Sequence, residues 1–117
     1  MLTRDDLRAY CNKLPEAEET FPFDADTLVM KVVGKMFALI PADGASISLK
    51  CEPELAVILR QTYPAVQGGY HLNKRHWNTV TSDGTIPDDE LYEMIDNSYH
   101  LVVKGLPKKD RERLLTR

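Results

Sequence analysis

The apolar positions of this chain change period several times, and each change marks an element. Leu7, Tyr10, Cys11 and Leu14 recur at helical spacing and predict a first helix over residues 5–13. Thr3 is placed as its N-cap with Asp6 at the third helical position, and Pro15 ends it because the residue before proline avoids the helical region. The period then falls to two. Residues 17–23 form a short acidic edge strand, and 28–33 alternate with Leu28, Met30 and Val32 on one face and Val29, Lys31 and Val33 on the other. Gly34 supplies a tight turn, 35–40 are apolar on both faces, Asp43-Gly44 turns the chain again, and 46–50 place Ile47 and Leu49 inward. These strands predict an antiparallel meander.

Helical spacing returns at Pro53, with a second helix over 53–61 whose expected buried face is Leu55, Ile58, Leu59 and Thr62. Pro64 stops it, 65–76 read as irregular, and 76–82 read as another strand closed by Asp83-Gly84. A third helix opens near Pro87 with Asp88, Asp89 and Glu90 in its first turn, where acids complement the helix dipole. Its stripe is Leu91, Met94, Ile95, Ser98, Tyr99 and Val102, and Gly105 ends it. A short last helix follows Pro107, anchored by Leu106, Leu114 and Leu115. The expected fold is α+β: an antiparallel sheet of about five strands covered by helices, in one domain spanning 1–117.

Composition narrows the class. With 43% apolar and 28% charged residues the chain has the balance of a globular domain, and its longest apolar run, 36–40, is far short of the ~20 residues a membrane helix needs. The acidic start MLTRDDLRAY lacks the apolar run of a secretory signal, and Cys11 and Cys51 match neither a disulfide framework nor a zinc spacing. The expected compartment is therefore the cytoplasm. Net charge is −3, but it is blocky: 1–30 carry −4, 31–82 carry +3, 83–103 carry −6 and 104–117 carry +4.

The densest polar segment is 68–78, which holds Gly68-Gly69, His71, Asn73, Lys74, Arg75, His76, Asn78 and the only tryptophan, Trp77. Cations contact phosphates, aromatic rings stack on bases, and glycines let a backbone approach a ligand closely. Each residue also has a structural role open to it. Trp77 fits a strand's core position, Asn73 and Asn78 fit turn caps, and His71 with His76 lack a third metal ligand. The basic tail Lys104, Lys108, Lys109, Arg111, Arg113 and Arg117 suits a solvated terminal helix or a phosphate surface. The acids Glu16, Glu18, Glu19, Asp24 and Asp26 suit a hard cation or a protected edge strand, without any calcium-loop spacing. No nucleophile elbow, phosphate loop, dinucleotide fingerprint or zinc-protease motif is present, so neither an enzyme nor a cofactor is expected.

The run FPFDADTLVMKVVGKMFAL, then SLKCEPELAVILRQTYPAVQGGYHLNKRHWNTV, then SYHLVVKGLP, resembles the MmcQ/YjbR family over about 7–109. The resemblance implies an α+β arrangement similar to frataxin and CyaY, with hairpin wings and a DNA-binding role. Lys35, His71, Asn73, Lys74, His76, Trp77 and Asn78 fall on the family's motif positions. The leading expectation is a binding module for nucleic acid, weak and salt-dependent, with Lys35 and 71–78, including Arg75, as its face. A protein-interaction or regulatory domain is the alternative. A small-molecule site at His71 or His76, or a frataxin-like metal role, ranks behind both, and no metal ligands are assigned.

Overall fold

A computed structural model describes residues 1–69 and 72–115. Helix α1 (Arg4–Asn12) is closed by the expected capping box: the Thr3 hydroxyl accepts from the Asp6 N–H at 3.2 Å, and the Asp6 carboxylate accepts from the Thr3 N–H at 2.9 Å. Strands β1 (Ala17–Thr20), β2 (Leu28–Val32), β3 (Lys35–Ile40) and β4 (Ser46–Lys50) follow. Then come α2 (Pro53–Thr62), β5 (Val66–Gly68), β6 (Trp77–Thr81), α3 (Asp88–Lys104) and α4 (Lys108–Leu115). The six strands form one antiparallel sheet in the order β1-β2-β3-β4-β6-β5. The strand beyond the expected five is β5, which lies inside the stretch read as irregular and pairs with β6 at the sheet edge.

All four helices pack on one side. Leu7 and Cys11 of α1, Leu59 of α2, the Leu91–Val103 stripe of α3 and Leu114 of α4 join a single cluster with Leu28, Met30, Val32, Ala38, Ile40, Ile47, Leu49, Val66 and Val80 of the sheet. Strand side chains alternate, so the opposite phase faces away from the helices. In that phase a row runs Thr20, Val29, Leu39, Ser48, Thr79 and Gln67 across the sheet, and Val29 is absent from the core cluster. The molecule is therefore a two-layer sandwich with a helix-free sheet face.

The β2–β3 register shifts between Met30 and Lys31, where Phe37 is left over on β3. Phe37 is fully buried, edge-on to Tyr99 of α3 with ring centroids 5.4 Å apart. The turn beyond it is a two-residue hairpin in which Val33 has φ 48° and Gly34 has φ 74°. Glycine tolerates this conformation; a β-branched valine does not, and asparagine is the favoured first residue of such a turn. Val33→Asn should stabilise the chain by about 1 kcal/mol, read as a rise of about 4 °C in Tm.

Two expected apolar faces are corrected. On α2 the buried residue is Ala56, with Leu59 half-buried, whereas Leu55 and Ile58 are 37% and 55% exposed and Thr62 is exposed. The helix lies against β5 and β6 at the sheet edge, so only one narrow side meets the core. On α4, Leu114 is buried but Leu115 is 52% exposed, because adjacent helical positions point about 100° apart.

Candidate nucleic-acid interface

The sheet face free of helices carries the chemistry. Leu49 and Asn78 point toward the helices, so their neighbours Lys50 and Trp77, a directly opposed cross-strand pair, point to the open side. Lys31 and Met36 form a second opposed pair in the same phase. Two opposed pairs thus share the open face, Lys31 with Met36 on β2 and β3 and Lys50 with Trp77 on β4 and β6, all half-buried, with exposed Glu18 beyond Lys31 on the β1 edge. Beside the pair of Lys50 and Trp77 the Ser48 and Thr79 hydroxyls share a 2.8 Å hydrogen bond. Ser46, Gln67, Gly68, Thr79, Thr81 and Lys74 line a shallow groove at the β5 side.

The segment 72–77 is held as a tight turn. The Asn73 side chain accepts from the Arg75 N–H at 2.9 Å, and the Asn73 carbonyl accepts from the N–H groups of His76 and Trp77 at 3.1 and 2.9 Å. Arg60 of α2 clamps this turn from the helical side. Its Nε donates to Asn78 Oδ1 at 2.7 Å, and its Nη2 donates to the carbonyls of Lys74 and, at 3.3 Å, Trp77. Asn78, 2% exposed, returns a hydrogen bond to the Ala56 carbonyl at 3.3 Å. Arg60→Ala would leave the buried Asn78 carbonyl without its charged donor and free the turn. The expected loss is about 2 kcal/mol, read as a fall of roughly 8 °C in Tm.

The sequence-predicted residues thus separate by role. Asn73 and Asn78 have their side chains committed to the fold, as described. Lys74 and Arg75 are exposed, with Lys74 Nζ donating to the Gly69 carbonyl at 3.3 Å. His76 is half-buried, and its carbonyl accepts from the Cys51 N–H at 2.8 Å. Lys35 is exposed at the β2–β3 turn. From the aligned row Ala38, Leu49, Asn78, it lies toward the same end of the sheet as Arg75. His71 lies outside the described residues. Sequence reasoning missed Lys31, Lys50 and Arg60. The signal for Lys50 was present, since it shares the polar phase of its strand with Ser46 and Ser48, whereas Lys31 shares its phase with Val29 and Val33.

Among the described residues the ion pairs join Arg8 to Glu19, Lys108 to Glu112, and Arg113 to both Glu16 and Asp110. Lys31, Lys35, Lys50, Lys74 and Arg75 take part in none of them. Trp77 makes no hydrogen bond through its indole N–H among these residues, and no buried side-chain N or O lacks a partner. The indole N–H is thus available at the surface.

Arg113 of the tail is held away from this face: it binds Glu16 beside β1, at the opposite edge from β5, and Arg117 lies outside the described residues. Two of the N-terminal acids, Glu19 and Asp24, are likewise engaged. Glu19 takes two hydrogen bonds from Arg8, which hold its carboxyl below the usual range, and Asp24 caps the turn at Asp26 and Thr27. Among the described residues no group of three or more His, Cys, Asp or Glu is placed to hold a metal ion. Burial pushes the Cys11 thiol up to about 12 and, with the neighbouring Glu52 charge, raises Cys51, so neither is poised as a thiolate. No described helix is long and apolar enough to cross a membrane.

A helix-backed antiparallel sheet with an open, cation-bearing face defines the class of protein. The YjbR family model matches residues 12–101, and the chain belongs to the YjbR family. It is 38% identical to the uncharacterized protein YjbR of Escherichia coli K12, over 97% of this chain and 98% of that one. It is 36% identical to the uncharacterized protein YbdF of Escherichia coli O157:H7, over 87% and 85%. The crystal structure of Deinococcus radiodurans protein DR2400, of domain DUF419, superposes with a TM-score of 0.89 at 49% identity, covering 97% of this chain and 88% of that one.

Proposed function

We propose that the chain is a nucleic-acid-binding module whose binding surface is the helix-free sheet face. The observation that carries this reading is Trp77, half-buried and with no hydrogen bond from its indole N–H among the described residues, directly opposite Lys50, which joins no ion pair among them, and on the same sheet face as Lys31. Aromatic faces accept bases and lysines accept phosphates. The net charge of −3 does not oppose this, because the acids of 83–103 sit mostly on α3, in the layer behind the sheet. The frataxin-like relation is taken at the level of the helix-backed sheet, and two free, buried cysteines favour a reducing cytoplasm.

Because the chain has one tryptophan, its fluorescence reports on the site directly. Titration with oligonucleotides at low salt should shift or quench that emission saturably, and the affinity should fall steeply as salt rises. Unchanged emission and unchanged mobility with both single strands and duplexes would remove the reading.

A second reading, a protein-interaction domain, draws on α2, where Leu55, Val57 and Ile58 are 37%, 48% and 55% exposed. Concentration-dependent self-association in sedimentation, abolished by Ile58→Glu, supports it; a monomer at every concentration counts against self-association through α2.

A further inference from the structure

The shape of the cationic surface says which form of nucleic acid it suits. A duplex closes its bases into a stack and is read by a helix or a narrow ribbon that enters a groove. Here the helices are poorly suited to that task. The basic helix α4 has Arg113 paired with Glu16 and Asp110, and Lys108 lies 3.9 Å from Glu112. The exposed start of α3 carries Asp88, Asp89 and Glu90. Lys31 and Lys50, which join no ion pair among the described residues, and the indole lie instead on the broad face of the sheet, where a duplex could touch with phosphates but could not offer a base to Trp77.

We infer, resting on the binding reading above, that this face takes single-stranded nucleic acid, with one unstacked base laid on the Trp77 indole. Lys50 lies beside that base for the adjoining phosphate. Met36, half-buried opposite Lys31 on the same face, gives the next base an apolar contact, and Lys31 meets the phosphate beyond it. Lys31 and Trp77 stand three inter-strand gaps apart, at least about 14 Å at ~4.8 Å each, enough for two to three nucleotides. On the other side of Trp77 the exposed Lys74 and Arg75 extend the track. The exposed Glu18 closes it at the β1 edge, where its charge discourages a phosphate from running further.

Stacking is tolerant of base identity but demands a free base face, so the site should prefer single strands strongly and sequence weakly. Lysines on an open sheet place no requirement on a 2′-hydroxyl, so DNA and RNA single strands share the chemistry.

The test is fluorescence anisotropy of labelled dT12, dA12 and U12 single strands and of the matched 12-base-pair duplex, at 50 mM salt, with the full chain. The expected result is a Kd at least 10-fold tighter for each single strand than for the duplex. Trp77→Phe should stay within about threefold of the parent, and Trp77→Leu should lose about 10-fold or more on single strands alone. Acrylamide quenching of Trp77 in the unaltered chain, with and without dT12, reads the same contact without any substitution and should show protection. Equal or tighter binding of the duplex overturns the inference and leaves the binding reading standing. Single-strand binding without protection of Trp77 also overturns it, by moving the site elsewhere. Absence of binding to every oligonucleotide overturns both.

Discussion

Ser98→Ala is expected to lower the stability of the chain by about 3 kcal/mol, a large fraction of a small domain's total. Ser98 is fully buried on α3, where its hydroxyl donates to the Phe37 carbonyl at 2.5 Å and accepts from the Lys50 N–H at 2.9 Å. The β3–β4 ladder contains only the pairs Ala38 with Leu49 and Leu39 with Ser48, and it stops where the bulge at Phe37 turns that residue toward Tyr99. Ser98 occupies the gap and continues the hydrogen bonding with a side chain in place of a strand. Alanine removes one hydroxyl and leaves the partly buried Lys50 N–H and the buried Phe37 carbonyl without this partner. Urea unfolding should show a lower midpoint at unchanged slope, and thermal unfolding a Tm lower by roughly 12 °C. A loss under about 1 kcal/mol would mean that the two strands rejoin without help. The same substitution should alter the site, since Lys50 on the open face takes its backbone position from this contact.

The bridge also shows how much the sequence alone discloses. Alternation over 28–33 and 46–50, the capping box at Thr3 and Asp6, and the acidic start of α3 state their structures locally, and those elements stand where they are expected. Ser98 reads only as a small polar member of an apolar stripe, because its partners lie 61 and 48 residues away. Helix α2 defeats periodicity for a different reason: Leu55, Val57, Ile58 and Leu59 are apolar nearly all round, and the pattern cannot select the side that meets the sheet. Strand β5 is three residues long, too short to show a period of two, and only its pairing with β6 defines it. The candidate site was half legible. The cluster at 73–78 was visible as a motif, but a motif groups residues by sequence, whereas the sheet groups them by face. That is why Asn78 turns inward to Arg60 while Lys31 and Lys50, far from the motif, arrive beside Trp77.

The grouping by face leads to the largest expected functional effect. Lys50→Ala/Lys74→Ala/Arg75→Ala should weaken oligonucleotide binding on the order of 100-fold at 50 mM salt and flatten its salt dependence. Each lost phosphate contact on a single strand removes about 0.7 from the slope of log affinity against log salt, so three lost contacts should flatten it by about 2. Stability should change little, since Lys74 and Arg75 are exposed, Lys50 is half-buried, and none of them is in an ion pair among the described residues. A charge-matched comparison separates a site from bulk electrostatics. Lys104→Ala/Lys108→Ala/Lys109→Ala takes the net charge from −3 to −6, the same as the first variant, but strips the helical layer instead. If the sheet face is the binding surface, this second variant should keep its slope and lose no more than a few-fold in affinity, the part attributable to long-range field. Equal losses in the two variants would show that the phosphates respond to total charge, and the arrangement around Trp77 would then have no special part in binding.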